Sequence, residues 1–206
     1  MKKITLILLA SGLILFNSCA SGYKKINPQS LNYLSKNITN DIVLEYKYDL
    51  LNKKYKKKET ANDIKVVSIK ITNNSNNDVV FGKDVRLAFE NGNEALIMEN
   101  ERVFKTIKQS PASYLWYLLL SPLQLYKTQS SGPYGQPVAQ ESFPIGLIVG
   151  PGIAFGNMIG AASANANFKN ELFENNLIGK TIKKGEIAYG IIGIQSTGYE
   201  ALKLKQ

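Results

Sequence analysis

From Asp41 the chain alternates between apolar and polar positions. Ile42, Leu44, Tyr46, Tyr48 and Leu50 fall on one side of an extended segment, and Glu45, Lys47 and Asp49 on the other. Period two of this kind marks a strand with one buried face. Ile64 to Thr72 repeats the pattern, with Val67, Ile69 and Ile71 set against Ser68 and Lys70. The run Asn73 to Asp78 predicts a turn, because Asn tolerates left-handed backbone and bonds to its own main chain. Val79 to Phe81 opens a third strand, and Val85, Leu87 and Phe89 alternate through the next. Asn91-Gly92 predicts a primed hairpin turn, with Ala95 to Met98 as the returning strand. Lys184-Gly185, Ile187 to Ile194 and Ala201 to Lys205 supply a late turn and two more strands.

Between Ser110 and about Leu177 the period changes. Tyr114 to Tyr126 is strongly apolar and interrupted by Pro122; Phe143 to Ala166 is apolar and glycine-rich. A Gly/Pro/Ser/Gln loop, Lys127 to Ser142, lies between them, and Asn167 to Leu177 predicts the end of an amphipathic helix with Phe168, Leu172 and Phe173 near one face. The expectation is a helical hairpin inserted between strands. Gly152, Gly156 and Gly160 recur every four residues, which on a helix lets another backbone come close. In water each such glycine costs roughly 1 kcal/mol relative to Ala. The stripe is similar to the glycine zippers of some outer-membrane lipoproteins. Packing of this helix on the protein's own sheet is the first expectation, and interfacial insertion or a full span are the alternatives; the aromatics Tyr114, Trp116, Tyr117 and Tyr126 suit a core, an interfacial belt or a sugar platform.

The N-terminus has the parts of an export signal. Lys2 and Lys3 precede an uncharged run, Ile4 to Phe16, and small polar residues lead to Cys19. As a helix that run covers about 20 Å against a hydrocarbon core of roughly 30 Å, so a cleaved signal over residues 1–18 is expected in place of a span. Phe16-Asn17-Ser18-Cys19 resembles the lipobox of bacterial lipoproteins, departing from the strict form at Phe16 and Asn17. The resemblance implies cleavage before Cys19, the one cysteine in the chain, and acylation of that residue, which would anchor the protein stably. Ala20 in place of an acidic residue points to the outer membrane, and the lack of an acidic run after it to a periplasm-facing position. The Lys-, Asn- and Ile-rich composition is similar to that of Bacteroidota-type envelope lipoproteins of uncharacterised function.

Charge and chemistry narrow the role. The net charge is +9, and an exported basic protein meets anionic lipid head groups before nucleic acid. Lys53, Lys54, Lys56, Lys57 and Lys58 are candidates for such a contact, or else a solvated hairpin tip between two strands. The chain contains no His, which removes the usual base near neutral pH and the commonest metal ligand. Glu99 and Glu101 read as solvated residues of a polar bend. No metal, cofactor or catalytic residue is expected.

The strand segments VVSIKITNNSNNDVVF and KKGEIAYGIIGI resemble the immunoglobulin-like modules of exported bacterial proteins. That resemblance implies a mainly β antiparallel sandwich, residues 41–206, preceded by a lipidated tether, 19–40, and interrupted by the helical insertion at about 110–177. The function expected is a non-enzymatic, lipid-anchored binding or scaffolding module, partnered by the membrane and by envelope proteins or copies of itself. A membrane-assembly protein using Gly152, Gly156 and Gly160, and a carbohydrate-binding or adhesion module, are the alternatives.

Overall fold

The computed structural model describes residues 19–127 and 141–206. Residues 1–18, where an export signal is expected, and the centre of the Lys127–Ser142 loop lie outside the described residues. The described residues divide into two compact units: a body of Tyr23–Gln109 and Ala164–Gln206, and a second unit of Ser110–Ser163 with residues 19–22.

The described strands are β1 (Ser35–Thr39), β2 (Ile42–Lys47), β3 (Ile64–Asn73), β4 (Val79–Val80), β5 (Arg86–Phe89) and β6 (Ile97–Met98). They continue with β7 (Leu125–Lys127), β8 (Glu141–Phe143), β9 (Thr181–Ile182), β10 (Ile187–Gln195) and β11 (Leu202–Lys205). Three α-helices accompany them: α1 (Lys53–Ala61), α2 (Asn100–Ile107) and α3 (Gly146–Glu174). All strand pairs between these elements are antiparallel, as the alternation predicts. Helix, 3-10 turns included, occupies 34% of the described residues and strand 29%, so the fold is mixed α/β and not mainly β.

The body is built on a five-stranded sheet in the order β1-β2-β3-β10-β6. Its two faces bury different partners. Ile42, Leu44, Val67, Ile69, Ile71, Ile192 and Ile194 join Leu87, Leu202, Leu204 and Ile182 in one core. On the other face Ile64, Val66 and Ile191 meet Tyr55 of α1, Val103 and Ile107 of α2, and Phe168 and Leu172 of α3. This second layer explains why Ser68, set on the polar side of β3 by the alternation, is buried as well. A strand covered on both faces sits at the centre of a layered body and not at its surface.

Several local expectations give way to helix or strand. The lysine run is not a hairpin tip; it is α1, because Tyr55 and Glu59, four residues apart, both turn inward and Lys and Glu are good helix formers. Where Glu99 and Glu101 are expected in a polar bend, Asn100–Ile107 forms α2, with Val103 and Ile107 buried at the same spacing. The lead-in 19–40 is not only a tether: Ile26 is buried, Pro28–Ser30 forms a 3-10 turn, and β1 pairs with β2. β1 is the edge strand and neither of its faces is fully buried, so it carries no apolar alternation. At the Asn91-Gly92 turn only Gly92 takes positive φ, +94°, so the turn is not the primed type.

Two glycines let side chains settle directly on β10. A Cβ at Gly193 would stand 2.3 Å from Val103 Cγ2, and one at Gly190 would stand 2.6 Å from Leu177 Cδ1. Gly193→Ala is expected to lower stability by about 1–3 kcal/mol through overpacking, with part of the loss recovered in a Gly193→Ala/Val103→Ala double variant. Denaturant midpoints measure both, and an unchanged single variant would contradict the packing of α2 on β10.

Candidate functional site

The second unit is distinguished by what it fails to bury. Pro111 opens a ten-residue 3-10 helix, Pro111–Leu120, where its missing N–H costs nothing. Tyr114 and Tyr117, three residues apart and hence eclipsed, turn inward onto Ala154 and Ala161 of α3. The backbones approach most closely at Gly146 and Gly150. A Cβ at Gly146 would fall 2.1 Å from the Leu120 carbonyl oxygen, and one at Gly150 would fall 3.0 Å from that of Tyr117. β7 and β8 pair beyond the 3-10 helix, with Lys127 opposite Glu141. The expected hairpin therefore has a 3-10 arm, a two-stranded connection and an α arm.

Around this small core most of the large apolar side chains face outward. Trp116 is 73% exposed and Leu119 70%, beside Leu115 and Leu118 on the same 3-10 helix. Leu123, Leu125, Tyr126 and Phe143 are exposed near the two-stranded connection. On α3, Ile148, Phe155 and Ile159 form an outward stripe at helical spacing. Only 22% of the most apolar window of α3 is buried, which separates it from a core helix. Between Pro111 and Ser163 the only charged residues are Lys127 and Glu141. That depletion is readable in the sequence and marks this unit better than any motif within it.

Gly152 and Gly156 lie on the same outward face, and a Cβ at either would meet nothing within 4 Å. Within this unit, then, Gly152 and Gly156 bring no other backbone close. Gly160 alone has a neighbour, the Cβ of Ala20 at 3.7 Å. The Ala20 N–H donates to Asn157 Oδ1 at 2.5 Å, and Asn157 Nδ2 donates to the Ile153 carbonyl. The residue next to Cys19 is thus seated on α3, and Cys19 itself is exposed. The packing glycines, Gly146 and Gly150, share the four-residue spacing but run two residues out of phase with the stripe. Spacing alone does not tell the two sets apart.

In the body the polar groups do structural work. On α1, Lys53 and Lys57 are exposed, Lys56 pairs with Asp49, and Lys58 Nζ donates to the Lys108 carbonyl at 2.5 Å. Burial, then the neighbouring Lys108 charge, holds the Lys58 ammonium below its usual range. Asn165 is a hub: its Oδ1 accepts from Gln109 N–H at 2.8 Å and Tyr55 O–H at 3.0 Å, and its Nδ2 donates to the Gln109 carbonyl at 2.9 Å. Tyr23 O–H donates to Glu171 Oε2 at 2.5 Å; burial, and next this bond, push the phenol well above its usual range. A cleft of about 230 Å³ opens beside them, lined also by Lys25, Asn167, Asn170 and Glu174. A more apolar groove of about 330 Å³ lies among Leu87, Ala95, Leu96, Ile97 and Ile178, with the Arg86–Glu94 pair at its edge.

Glu59 is the buried carboxyl with the clearest cost. Its Oε1 accepts from Val66 N–H at 2.7 Å, and its Oε2 is buried without a partner. Desolvation raises its pKa, opposed by the Val66 bond and by Lys65. Among the described residues no group of three or more His, Cys, Asp or Glu is placed to hold a metal ion. Glu99 lies just before α2, and Glu101 pairs with Lys105 and Lys169. No protein-family model, curated protein or solved structure matches the chain.

The Glu59 site generates a pH prediction. A carboxyl whose folded pKa is raised binds its proton more tightly in the folded state, so its contribution favours folding at low pH. That contribution is lost as pH rises from the ordinary carboxyl range through the raised folded value. Glu59→Gln keeps an acceptor for Val66 and removes the charge, so it is expected to stabilise the protein at pH 7 by about 1 kcal/mol. The advantage should shrink as the solution is acidified through the carboxyl range. Urea denaturation of both proteins at several pH values measures this, and a constant difference at every pH would contradict it.

Proposed function

We propose that this chain is a lipid-anchored protein of the cell envelope, held by acyl chains on Cys19, with the body acting as a non-enzymatic binding or scaffolding module. The observation that carries this reading is the position of Cys19. It is exposed, follows a lipobox-like motif, and belongs to the unit whose outer surface is almost uncharged and richly apolar. An acyl anchor and an apolar surface in one compact unit are what a membrane-held protein needs. By the residues after Cys19, the location proposed is the outer membrane, facing the periplasm.

The body suits binding or scaffolding more than catalysis. Its buried polar groups, Asn165 above all, are engaged in holding main chain together. We read the β5–β11 ribbon as part of a second layer of a sandwich, since Leu87, Phe89, Leu202 and Leu204 share one core with the large sheet. The helices on the sheet's other face depart from the immunoglobulin-like pattern. For the carbohydrate reading, exposed Trp116 offers a stacking surface, but its neighbours Leu115, Leu118 and Leu119 supply no side-chain hydrogen-bonding groups for sugar hydroxyls. The assembly reading is favoured by the open Gly152–Gly156 face.

Acylation is tested by metabolic labelling with a palmitate analogue in a bacterial host and by mass analysis of the mature N-terminus. Label on the wild type, its absence in Cys19→Ser, and a mature chain beginning at diacylated Cys19 are expected. An unlabelled mature chain beginning at another residue would overturn the proposal.

A further inference from the structure

We infer that the outward apolar surface of the Ser110–Ser163 unit is a bilayer-contact face that sinks into a single leaflet beside the residue 19 attachment point. Exposed apolar patches of this breadth are uncommon on soluble monomers and mark interaction surfaces. The chemistry of this one selects lipid. Trp116, Leu119, Ile148, Phe155 and Ile159 offer water no hydrogen bond apart from the Trp116 indole N–H, and both charges of the unit lie at the β7–β8 pair. Trp and Tyr favour the interface between head groups and acyl chains, which suits Trp116 and Tyr126. The contact between Ala20 and Asn157 brings the chain's attachment residue onto the same helix.

Length and charge placement select one leaflet over a span. The 3-10 arm, ten residues at about 2.0 Å per residue, reaches roughly 20 Å, against about 15 Å for a leaflet and 30 Å for the whole hydrocarbon core. In α3, Ala164, Phe168 and Leu172 are committed to the core of the body, which leaves Gly146–Ser163, about 27 Å as a helix, just under the full core, and the charge placement decides against a span. Lys127 and Glu141 at the two-stranded connection, and the uncharged but polar sequence between them, would have to cross the bilayer in any span.

This inference goes beyond the anchor reading, and the test separates the two. The chain beginning at Ala20 lacks the acyl site and the signal but keeps every helix and strand described. It is mixed with vesicles of phosphatidylethanolamine and phosphatidylglycerol in high salt, which screens lysine attraction, and separated by flotation. Trp116 is the only tryptophan, so quenching by brominated lipids reports the depth of this face alone. Flotation with the vesicles, and stronger quenching by bromines near the head groups than near the acyl ends, are expected. Ile148→Asn/Phe155→Asn/Ile159→Asn should lower vesicle affinity about a hundredfold or more with an unchanged far-ultraviolet spectrum. These side chains are exposed, so folding should survive; if it does not, the wild-type flotation and quenching still decide. A wild-type chain that stays in the supernatant as a folded monomer overturns the inference. So does a soluble oligomer with Trp116 shielded, which would assign the face to self-association, and so does quenching strongest at the bilayer midplane. Failure of acylation at Cys19 leaves a positive flotation result standing, and a negative one leaves acylation standing.

Discussion

The commitment of the C-terminal half of α3 to the body's core is the constraint on which the rest depends. Phe168 sits in an aromatic cluster with Tyr23, Tyr55 and Phe104, at centroid distances of 5.4, 5.3 and 6.2 Å. Asn165, one turn earlier, closes three hydrogen bonds onto Tyr55 and the Gln109 main chain, and Asn100 Nδ2 donates to the Leu172 carbonyl. Burial of this face supplies the hydrophobic stabilisation, and the polar contacts fix its register, since a buried amide left unbonded would cost about 1–3 kcal/mol. A helix so held has only its N-terminal part, Gly146–Ser163, left to meet anything outside the body's core.

The same packing explains the body's composition. Helices cover the face of the sheet that alternation assigns to solvent, so β3 is buried almost throughout and β10 is buried from Gly190 to Ile194. Polar residues on that face must then find partners. Ser68 bonds to Tyr33 and to the Gly190 carbonyl, and Glu59 accepts from Val66. Gly193 gives Val103 room to approach. With one cysteine in the chain no internal disulfide is available, and the fold rests on this packing.

Much of the strand framework was legible in the sequence, because Ile42, Leu44, Ile69 and Ile71 obey period two and bury the face it predicts. β1 was hidden because edge strands need no apolar face. α1 was hidden because five lysines masked the Tyr55–Glu59 pair that turns inward. α2 was hidden because eight residues carry only two fully buried aliphatic positions, Val103 and Ile107. In the second unit the two apolar stretches were plain, but which glycines pack was not: four-residue spacing fits Gly146 and Gly150 as well as Gly152 and Gly156, and only the partner backbone distinguishes them. The depletion of charge from Pro111 to Ser163 was the informative signal there, and it needs no secondary-structure assignment to be seen.

The protein we propose is held at a membrane through acylated Cys19 and the apolar face of the Ser110–Ser163 unit, while the body keeps its apolar residues in its own two cores. The central claim is that this unit, and not the lysine face of α1, meets the lipid. Amide hydrogen exchange of the acylated protein, free in detergent-free solution against bound to vesicles, tests this most directly. The account predicts slower exchange on binding across residues 111–126 and 146–163, with rates in β3, β10 and α1 unchanged. Protection confined to α1 and the body, with the apolar unit exchanging as in solution, would contradict it.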